Sequence, residues 1–188
     1  MNNKRFKMFF SIILIVIILA MTGFYIFKKL SLNPNSIGDE YVPQAEISDE
    51  QFRRTIVKLY FKEINSNNLK YESRSIDSKE LLSNPYLALI NLLLSGPSIE
   101  GLEKIIPDGT TVNSAKIDGN KVTIDLSSSF ISSTSDVNIA SNMVYSIVNT
   151  LTELTEVDSV KFVIDGNENA NFINCNFSLK EPFVRKSL

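Results

Sequence analysis

One unbroken apolar run, Met8–Phe27, constrains this chain more than any other feature, because it contains no charged residue and has lysine or arginine on both sides. An α-helix rises about 1.5 Å per residue, so a run of this length crosses a hydrocarbon core about 30 Å thick. A cleaved signal peptide is the alternative, but Leu19–Gly23 matches a small-residue cleavage site poorly. We therefore expect one uncleaved transmembrane helix that anchors the chain in a membrane.

Basic residues on the two flanks of the run predict its orientation. Lys4, Arg5 and Lys7 precede the run together with the terminal amine, whereas Lys28 and Lys29 follow it. The positive-inside rule favours a short cytoplasmic N-terminus and a large domain outside the cytoplasm, in the cell envelope. The predicted division is a cytoplasmic tail, a transmembrane anchor, a turn-rich linker and an extracytoplasmic domain, over residues 1–7, 8–27, 28–53 and 54–188.

Charge is distributed unevenly along the chain. All 21 acidic residues but only 14 of the 19 basic residues follow residue 30, which leaves that part a net charge of −7. Nucleic-acid binding needs a basic face that displaces counterions, so DNA and RNA are excluded as expected partners. Anionic wall polymers and anionic lipids are disfavoured by the same Coulomb argument.

The chain has no histidine and a single cysteine, Cys175. The absence of histidine excludes Ser-His-Asp and Cys-His catalysis and removes nearly all catalytic zinc sites. A lipoprotein anchor needs a cysteine just after the apolar core, and Cys175 lies far from it. An unpaired thiol on an apolar strand is more typical of a small buried residue than of a nucleophile. The sequence therefore predicts no cofactor, no metal site and no enzymatic activity.

The first half of the domain reads as two strands and a helix. Val57, Leu59 and Phe61 alternate with Ile56, Lys58 and Tyr60, which predicts a strand over 54–61 with one strongly apolar face. Residues 69–76 are predicted to form a second, more polar strand near an edge. Asn84 and Pro85 begin a helix, which Gly96 and Pro97 end. The predicted buried stripe of this helix is Leu87, Ile90, Leu93 and Leu94. Residues 98–106 are expected to form a short helical turn.

The second half also begins with two strands and a helix, and further strands follow that helix. Residues 112–117 and 121–126 form a hairpin around Asp118, Gly119 and Asn120, because Gly and Asn accept the positive φ of tight turns. A polar loop over 127–135 leads to a helix capped by Asp136 or Ser135, and strands follow at 160–164 and 171–179. The predicted buried stripe of that helix is Ala140, Val144, Ile147, Val148, Leu151 and Leu154. The order β-β-α-β-β-α-β predicts an α+β two-layer sandwich with both helices on one face of a mixed sheet.

Short motifs along this domain resemble, in order and spacing, the GerMN-domain family of sporulation and spore germination proteins. They are Val57–Phe61, Ser95–Leu102, Ile106–Gly109, Val122–Ser127, Asn149–Leu154, Lys161–Gly166 and a closing segment, Ser178–Phe183. The resemblance covers most of residues 56–184. It implies an extracytoplasmic domain of endospore-forming bacteria with no known catalytic activity and a fold similar to ring-building motifs of secretion and sporulation channels.

The resemblance also implies partners: envelope or sporulation proteins, with the chain as a scaffold, a homo-oligomer or a ring component. The family's namesake carries two such domains behind a lipoprotein signal. This chain has one domain, behind an apolar run without a nearby cysteine. The sequence leaves open whether the role is in sporulation, in germination or in general envelope function.

The motif residues are expected to shape the fold rather than to carry chemistry. They are Gly96, Pro97, Gly101, Leu102, Pro107, Gly109, Asp125, Leu126, Ser127, Asn149, Thr150, Leu151 and Gly166. Asp125 and Ser127 have an alternative role as a carboxylate–hydroxyl site. Two other functions compete with a scaffold: a ligand- or peptide-binding sensor, and a wall-modifying enzyme that uses a carboxylate.

Overall fold

The structure is a computed structural model that describes residues 3–31 and 53–187. The chain divides into two compact units, 1–46 and 47–188. In the first unit, helix α1, Asn3–Ser31, covers the apolar run, and its described side chains from Ile13 to Lys29 are exposed. Within the described residues, no helix combines the length and the apolarity that crossing a membrane requires. The transmembrane anchor therefore stays a prediction, and most of the linker lies outside the described residues.

The first sheet of the C-terminal domain (residues 53–187) has three antiparallel strands in the order β2-β1-β3. Val57, Leu59 and Phe61 face the core, as their alternation predicts, while Ile56 is 71% exposed. The second strand lies at an edge of the sheet, also as predicted. The strands are β1 Arg54–Glu63, β2 Leu69–Asp77 and β3 Leu102–Glu103.

Helix α2, Pro85–Leu94, follows a short 3-10 helix at Ser78–Leu81. Its cap is Asn84, whose side chain accepts a hydrogen bond from the Leu87 amide at 3.0 Å. The buried residues of α2 are Leu89, Ile90 and Leu93, whereas Leu87 and Leu94 are only half-buried. The predicted stripe is therefore rotated, because α2 packs against β1, β4 and the second long helix at once.

The second sheet has four strands in the order β4-β5-β6-β7. The β4–β5 hairpin forms as predicted, and Val122, Ile124 and Leu126 are fully buried. Strands β5 and β6 run parallel, and the chain between them forms α3 and α4. The elements are β4 Val112–Asp118, β5 Lys121–Leu126, α3 Ser129–Ser132, α4 Val137–Leu151, β6 Ser159–Ile164 and β7 Phe183–Val184.

The structure corrects four predictions within an α+β class that it confirms. The single mixed sheet is two sheets, because β1 pairs with β3 rather than with the β4–β5 hairpin. The helical turn expected over 98–106 contains strand β3, and the polar loop over 127–135 contains α3, which buries Phe130 and Ile131. The strand expected over 171–179 is a series of turns with one bridge between Asn171 and Ser178.

Candidate functional site

The loop after α2 is fastened to β2 by a buried ion pair. Arg74 donates to the Glu72 carboxylate at 2.7 Å and to the Gly96 carbonyl at 2.8 Å, and the Ser98 amide donates to Glu72 at 2.7 Å. Burial alone would raise the pKa of Glu72, but the bonds from Arg74 and Ser98 outweigh it and hold the pKa below its usual range. Gly96 ends the helix at φ +85°, and Pro97 follows it. This motif therefore docks a loop.

The next motif residues form turns around the short strand β3. Gly101, at φ +86°, accepts a hydrogen bond from the Ile64 amide at 3.0 Å, and Leu102 is buried and pairs with Glu63. Pro107 accepts a hydrogen bond from the Thr110 amide, which closes the turn that contains Gly109 at φ +85°. Left-handed backbone favours glycine at these positions.

Asp125 and Ser127 do not form the carboxylate–hydroxyl pair considered above, because each bonds to different backbone. The Asp125 carboxylate accepts from the Gly166 amide at 3.3 Å. The Ser127 hydroxyl accepts from the Thr111 amide at 3.0 Å. Leu126, between them, lies in the core. These side chains join the end of β5 to the turn that precedes β4 and to the turn that follows β6.

Asp165 is a further polar residue at this end of the sheet. Its backbone has φ 46°, its carboxylate accepts from the Ser128 amide at 3.0 Å, and Asn113 lies between it and Asp125 at 3.3 and 3.4 Å. Hydrogen bonds from Ser128 and Asn113 lower the pKa of Asp165. The sequence signal was present in the Asp165-Gly166 turn after a strand, but it indicated a turn rather than a contact to α3.

Lys161 fastens the closing segment to β6. Its ammonium donates to the backbone carbonyls of Glu168 at 2.6 Å, Leu179 at 3.0 Å and Lys180. Burial lowers the pKa of Lys161. A lysine with a lowered pKa is a candidate base, but all the donors of this ammonium are already used by carbonyls. Lys161 is therefore a tie between segments.

Asn149 and Thr150, both fully buried, tie α4 to two other parts of the domain. Thr150 accepts a hydrogen bond from the Tyr60 amide of β1 at 3.0 Å. Asn149 donates to the Lys186 carbonyl and accepts from the Lys186 amide, each at 3.0 Å, so its amide group pairs with the backbone of the C-terminal tail. Leu151, next in the motif, lies in the core.

An ionic cluster centred on Glu153 lies beside the hydrogen bonds of Asn149 and Thr150. Glu153 accepts from the Tyr60 hydroxyl at 2.7 Å and pairs with Lys58 at 3.1 Å and with Arg185. Burial raises the pKa of Tyr60 to about 12, with the hydrogen bond to Glu153 acting in the same direction. Burial opposes the charged form of Glu153, but bonds from Tyr60, Arg185 and Lys58 prevail and lower its pKa. Arg185 lies in the tail, where no sequence pattern indicated it.

The described residues hold no group of three or more His, Cys, Asp or Glu side chains placed to bind a metal ion. Two open surface clefts, of about 540 and 450 Å³, lie at opposite ends of the β1–β2 hairpin and are lined mostly by polar and charged side chains. Neither contains any of the motif residues named above. The motif residues lie at several places around the domain, where they hold segments together, and they line neither of these two clefts.

The C-terminal domain is similar to known sporulation proteins. Residues 58–170 match the family Germane, described as sporulation and spore germination. The tandem GerMN domains of the sporulation protein GerM from Bacillus subtilis match at 26% identity and a TM-score of 0.55. That match covers 72% of this chain and 47% of the tandem structure, so the chain spans about half of it.

The first GerMN domain of the same protein, at 21% identity and a TM-score of 0.56, shares the fold, over 71% of this chain and 99% of that one. Among curated proteins, none matches this chain. The matched region covers more than half of the chain and runs from within β1 to beyond β6. This chain belongs to the Germane family.

Proposed function

We propose that this chain is a non-catalytic, membrane-anchored scaffold of the cell envelope that acts in sporulation or germination. The carrying observation is the use of the motif side chains. Asp125, Ser127, Asn149 and Thr150 each bond to backbone of another segment, so these side chains hold segments of the fold together. Such residues define a rigid shape, and a rigid shape without a reacting centre is suited to binding other proteins.

The proposed anchor is α1, with the C-terminal domain outside the cytoplasm. Support comes from the uncharged run at 8–27 and the excess of basic residues before it. Membership in a family described by sporulation and spore germination, and the resemblance of the fold to GerM, support the proposal of a role in an envelope complex. The partners are proposed to be other envelope proteins, because the domain is too acidic for nucleic acid.

Protease treatment of intact protoplasts tests the topology. The full chain, tagged at its N-terminus, is expected to lose the C-terminal domain to external protease while the tag stays protected. A matched control releases the cytoplasm with detergent, after which the tag is digested as well. Complete protection of the domain in intact protoplasts would refute the outward orientation.

A second experiment separates a scaffold from an enzyme. Asp125→Asn keeps the side-chain volume and one acceptor oxygen but removes the charge that acid–base chemistry needs. The full-length variant is expected to support sporulation or germination as the unchanged chain does. Hydrolysis of wall fragments by the unchanged chain, abolished in the folded Asp125→Asn variant, would replace the scaffold by an enzyme.

A further inference from the structure

The outer edge of β2 is a row of backbone groups with no strand beside it within residues 53–187. The Glu63 amide donates to the Asn68 carbonyl, which identifies that pair as a hydrogen-bonded one. Bonded and non-bonded pairs alternate along an antiparallel ladder. In the register of β1 and β2, Tyr71, Ser73 and Ser75 therefore point their N–H and C=O groups away from β1.

The other strand edges of the domain are shortened, bent or covered. In β4 the register shifts at Asn113, and the Asn84 side chain donates to the Ala115 carbonyl. Strand β7 has only two residues. The free side of β1 is occupied at Tyr60 by α4 and at Lys62 by β3. Natural proteins use such devices against edge-to-edge pairing, and β2, with nine residues, has no bulge and no proline.

Charge protects the edge of β2 only near its ends, where the Lys70 side chain is 64% exposed and Asp77 is half-buried. Glu72 and Arg74 turn toward the core face, pair with each other and are 2% and 14% exposed at their side chains. Tyr71, Ser73 and Ser75 on the other face are exposed and uncharged. One side chain reaches the edge: Arg54, whose guanidinium donates to the Ser75 carbonyl at 3.2 Å. A carbonyl has two lone pairs, so Ser75 can accept a second bond.

We propose that β2 pairs antiparallel with β2 of a second copy of this chain, about a two-fold axis at Ser73. Ser73 then lies opposite Ser73 of the second copy, and Tyr71 lies opposite Ser75. These pairs have outward-pointing backbone and form about six hydrogen bonds between the strands. The inference deepens the proposed scaffold function by naming its first partner as the chain itself.

The sequence of β2 favours a second copy in this register. Glu72 of one strand lies opposite Arg74 of the other, so the cross-strand charges are opposite, and no like charges face each other. Centring the axis on Tyr71 or Ser75 would leave part of each strand unpaired, whereas centring on Ser73 pairs residues 69–77 completely. A two-fold contact uses the same patch on both copies, as isologous dimers do.

The size of the contact predicts a weak dimer. One pair of short strands buries less than the roughly 1,200–2,000 Å² of stable protein complexes. Confinement of both copies to a membrane raises their effective concentration and favours the dimer. This last step depends on the proposed anchor, whereas the strand pairing does not.

Cysteine crosslinking of the full chain tests the register. In a Cys175→Ser background, Ser73→Cys places two thiols on a bonded pair about 5.5 Å apart at Cα, within the range of a disulfide. The matched control is Ser75→Cys on the same strand and face, where the two thiols lie about 13 Å apart along the strands. In vesicles under mild oxidation, Ser73→Cys is expected to form dimers about tenfold faster than Ser75→Cys. Equal rates, or no dimer from either variant, would overturn the pairing.

A mixture of two variants adds a second readout. Tyr71→Cys on one copy faces Ser75→Cys on the other, so the mixture is expected to crosslink where Ser75→Cys alone does not. Adding Ser73→Pro to both is expected to abolish that crosslink. The Ser73 amide points outward, so this proline removes no bond to β1, and an unchanged circular dichroism spectrum confirms the fold.

Comparing vesicles with detergent solution separates the pairing from the anchor. A faster Ser73→Cys reaction in vesicles supports both inferences. The same Ser73→Cys preference at equal rates in the two media supports the pairing and refutes a contribution from the anchor. Crosslinking of the Tyr71→Cys and Ser75→Cys mixture that survives Ser73→Pro would overturn the pairing in either medium.

Discussion

Replacing Asn149 by alanine removes the amide group that holds the C-terminal tail to α4. The two bonds to the Lys186 backbone, each 3.0 Å long, are lost together. A hydrogen bond contributes about 0.5–1.5 kcal/mol net, so the pair accounts for about 1–3 kcal/mol. The site is fully buried, and the space left by the truncation adds a further cost. We expect Asn149→Ala to lower the free energy of unfolding by about 2–3 kcal/mol.

Denaturant and thermal unfolding measure this loss. For a domain of this size, about 1 kcal/mol corresponds to about 4 °C, so the midpoint is expected to fall by roughly 8–12 °C. Hydrogen exchange locates it: the Lys186 amide, which donates to Asn149, is expected to lose protection before the amides of β5 and β6 do. The matched control is Asn138→Ala on the exposed first turn of the same helix, with an expected change within about 0.5 kcal/mol.

Two results would refute this reasoning. If Asn149→Ala and Asn138→Ala unfolded at the same midpoint, the tail would not be held by Asn149. If Asn149→Ala were destabilised while Lys186 kept its protection, the loss would come from packing inside the core. The Arg185 contacts to Glu153 and Tyr60 remain in this variant, so the tail is loosened at one of its ties only.

Three further outcomes are expected. The pKa values of Glu72 and Glu153 are lowered in the folded state, so these carboxylates stabilise the fold above about pH 4.5. This stabilisation is lost as the pH falls through the pKa values of the folded state. The free energy of unfolding is therefore expected to fall between pH 7 and pH 3, and a value that does not change with pH would contradict this. Asp125→Ala removes an exposed hydrogen bond from the Gly166 amide and is expected to lower stability by about 0.5–1.5 kcal/mol; a variant of unchanged stability that lost all function would indicate a reacting site. Arg54→Ala frees the Ser75 carbonyl and is expected to speed the Ser73→Cys crosslink, whereas a slower reaction would contradict a guarding role for Arg54.

Local signals in the sequence were sufficient for most single elements. The alternation of Val57, Leu59 and Phe61 predicted a strand with one buried face, and the structure has it. Asn84 before Pro85 predicted the start of α2, because an Asn side chain and a proline together satisfy the first turn of a helix. Periodicity and helix capping depend on residues only a few positions apart, so both are visible in the local sequence.

Pairing between distant segments could not be read in this way. The periodicity of 121–126 and of 159–164 indicates strands, but the parallel pair β5–β6 forms only after α3 and α4 have crossed between them. The alternation over 171–179 indicated a strand for the same local reason. There the apolar side chains reach the core from turns, and Ile173, within the alternation, is 64% exposed. The alternation therefore predicted the burial of Leu179 but not the exposure of Ile173, and burial of a side chain does not require a strand.

In the candidate site, too, local patterns were visible in the sequence but contacts with distant residues were not. The motif Asn149-Thr150 was visible in the sequence as part of a helix, but its partners, Tyr60 and Lys186, lie far along the chain. Arg185 carried no local signal, because its role depends on Glu153 and Tyr60 being brought to the tail by packing. The residue type shows that a side chain can form a hydrogen bond or an ion pair. Its partner depends on which distant segment the fold brings next to it.

Two of the contacts described above hold the β1–β2 hairpin, whose outer edge is open. Arg74 and Glu72 hold the loop after α2, and Thr150 holds the Tyr60 backbone on the far side of β1. A strand held in its extended form loses less conformational entropy when another strand pairs with it, and preorganisation of this kind strengthens weak contacts. The buried ion pair of β2 thus has two effects: it docks a loop inside the domain, and it turns the charges of Glu72 and Arg74 away from the exposed face of the strand. Arg74→Met breaks the ion pair and is expected to slow the Ser73→Cys crosslink, although Arg74 lies on the opposite face of the strand. An unchanged rate in the folded variant would show that strand pairing does not depend on the contacts of Glu72 and Arg74.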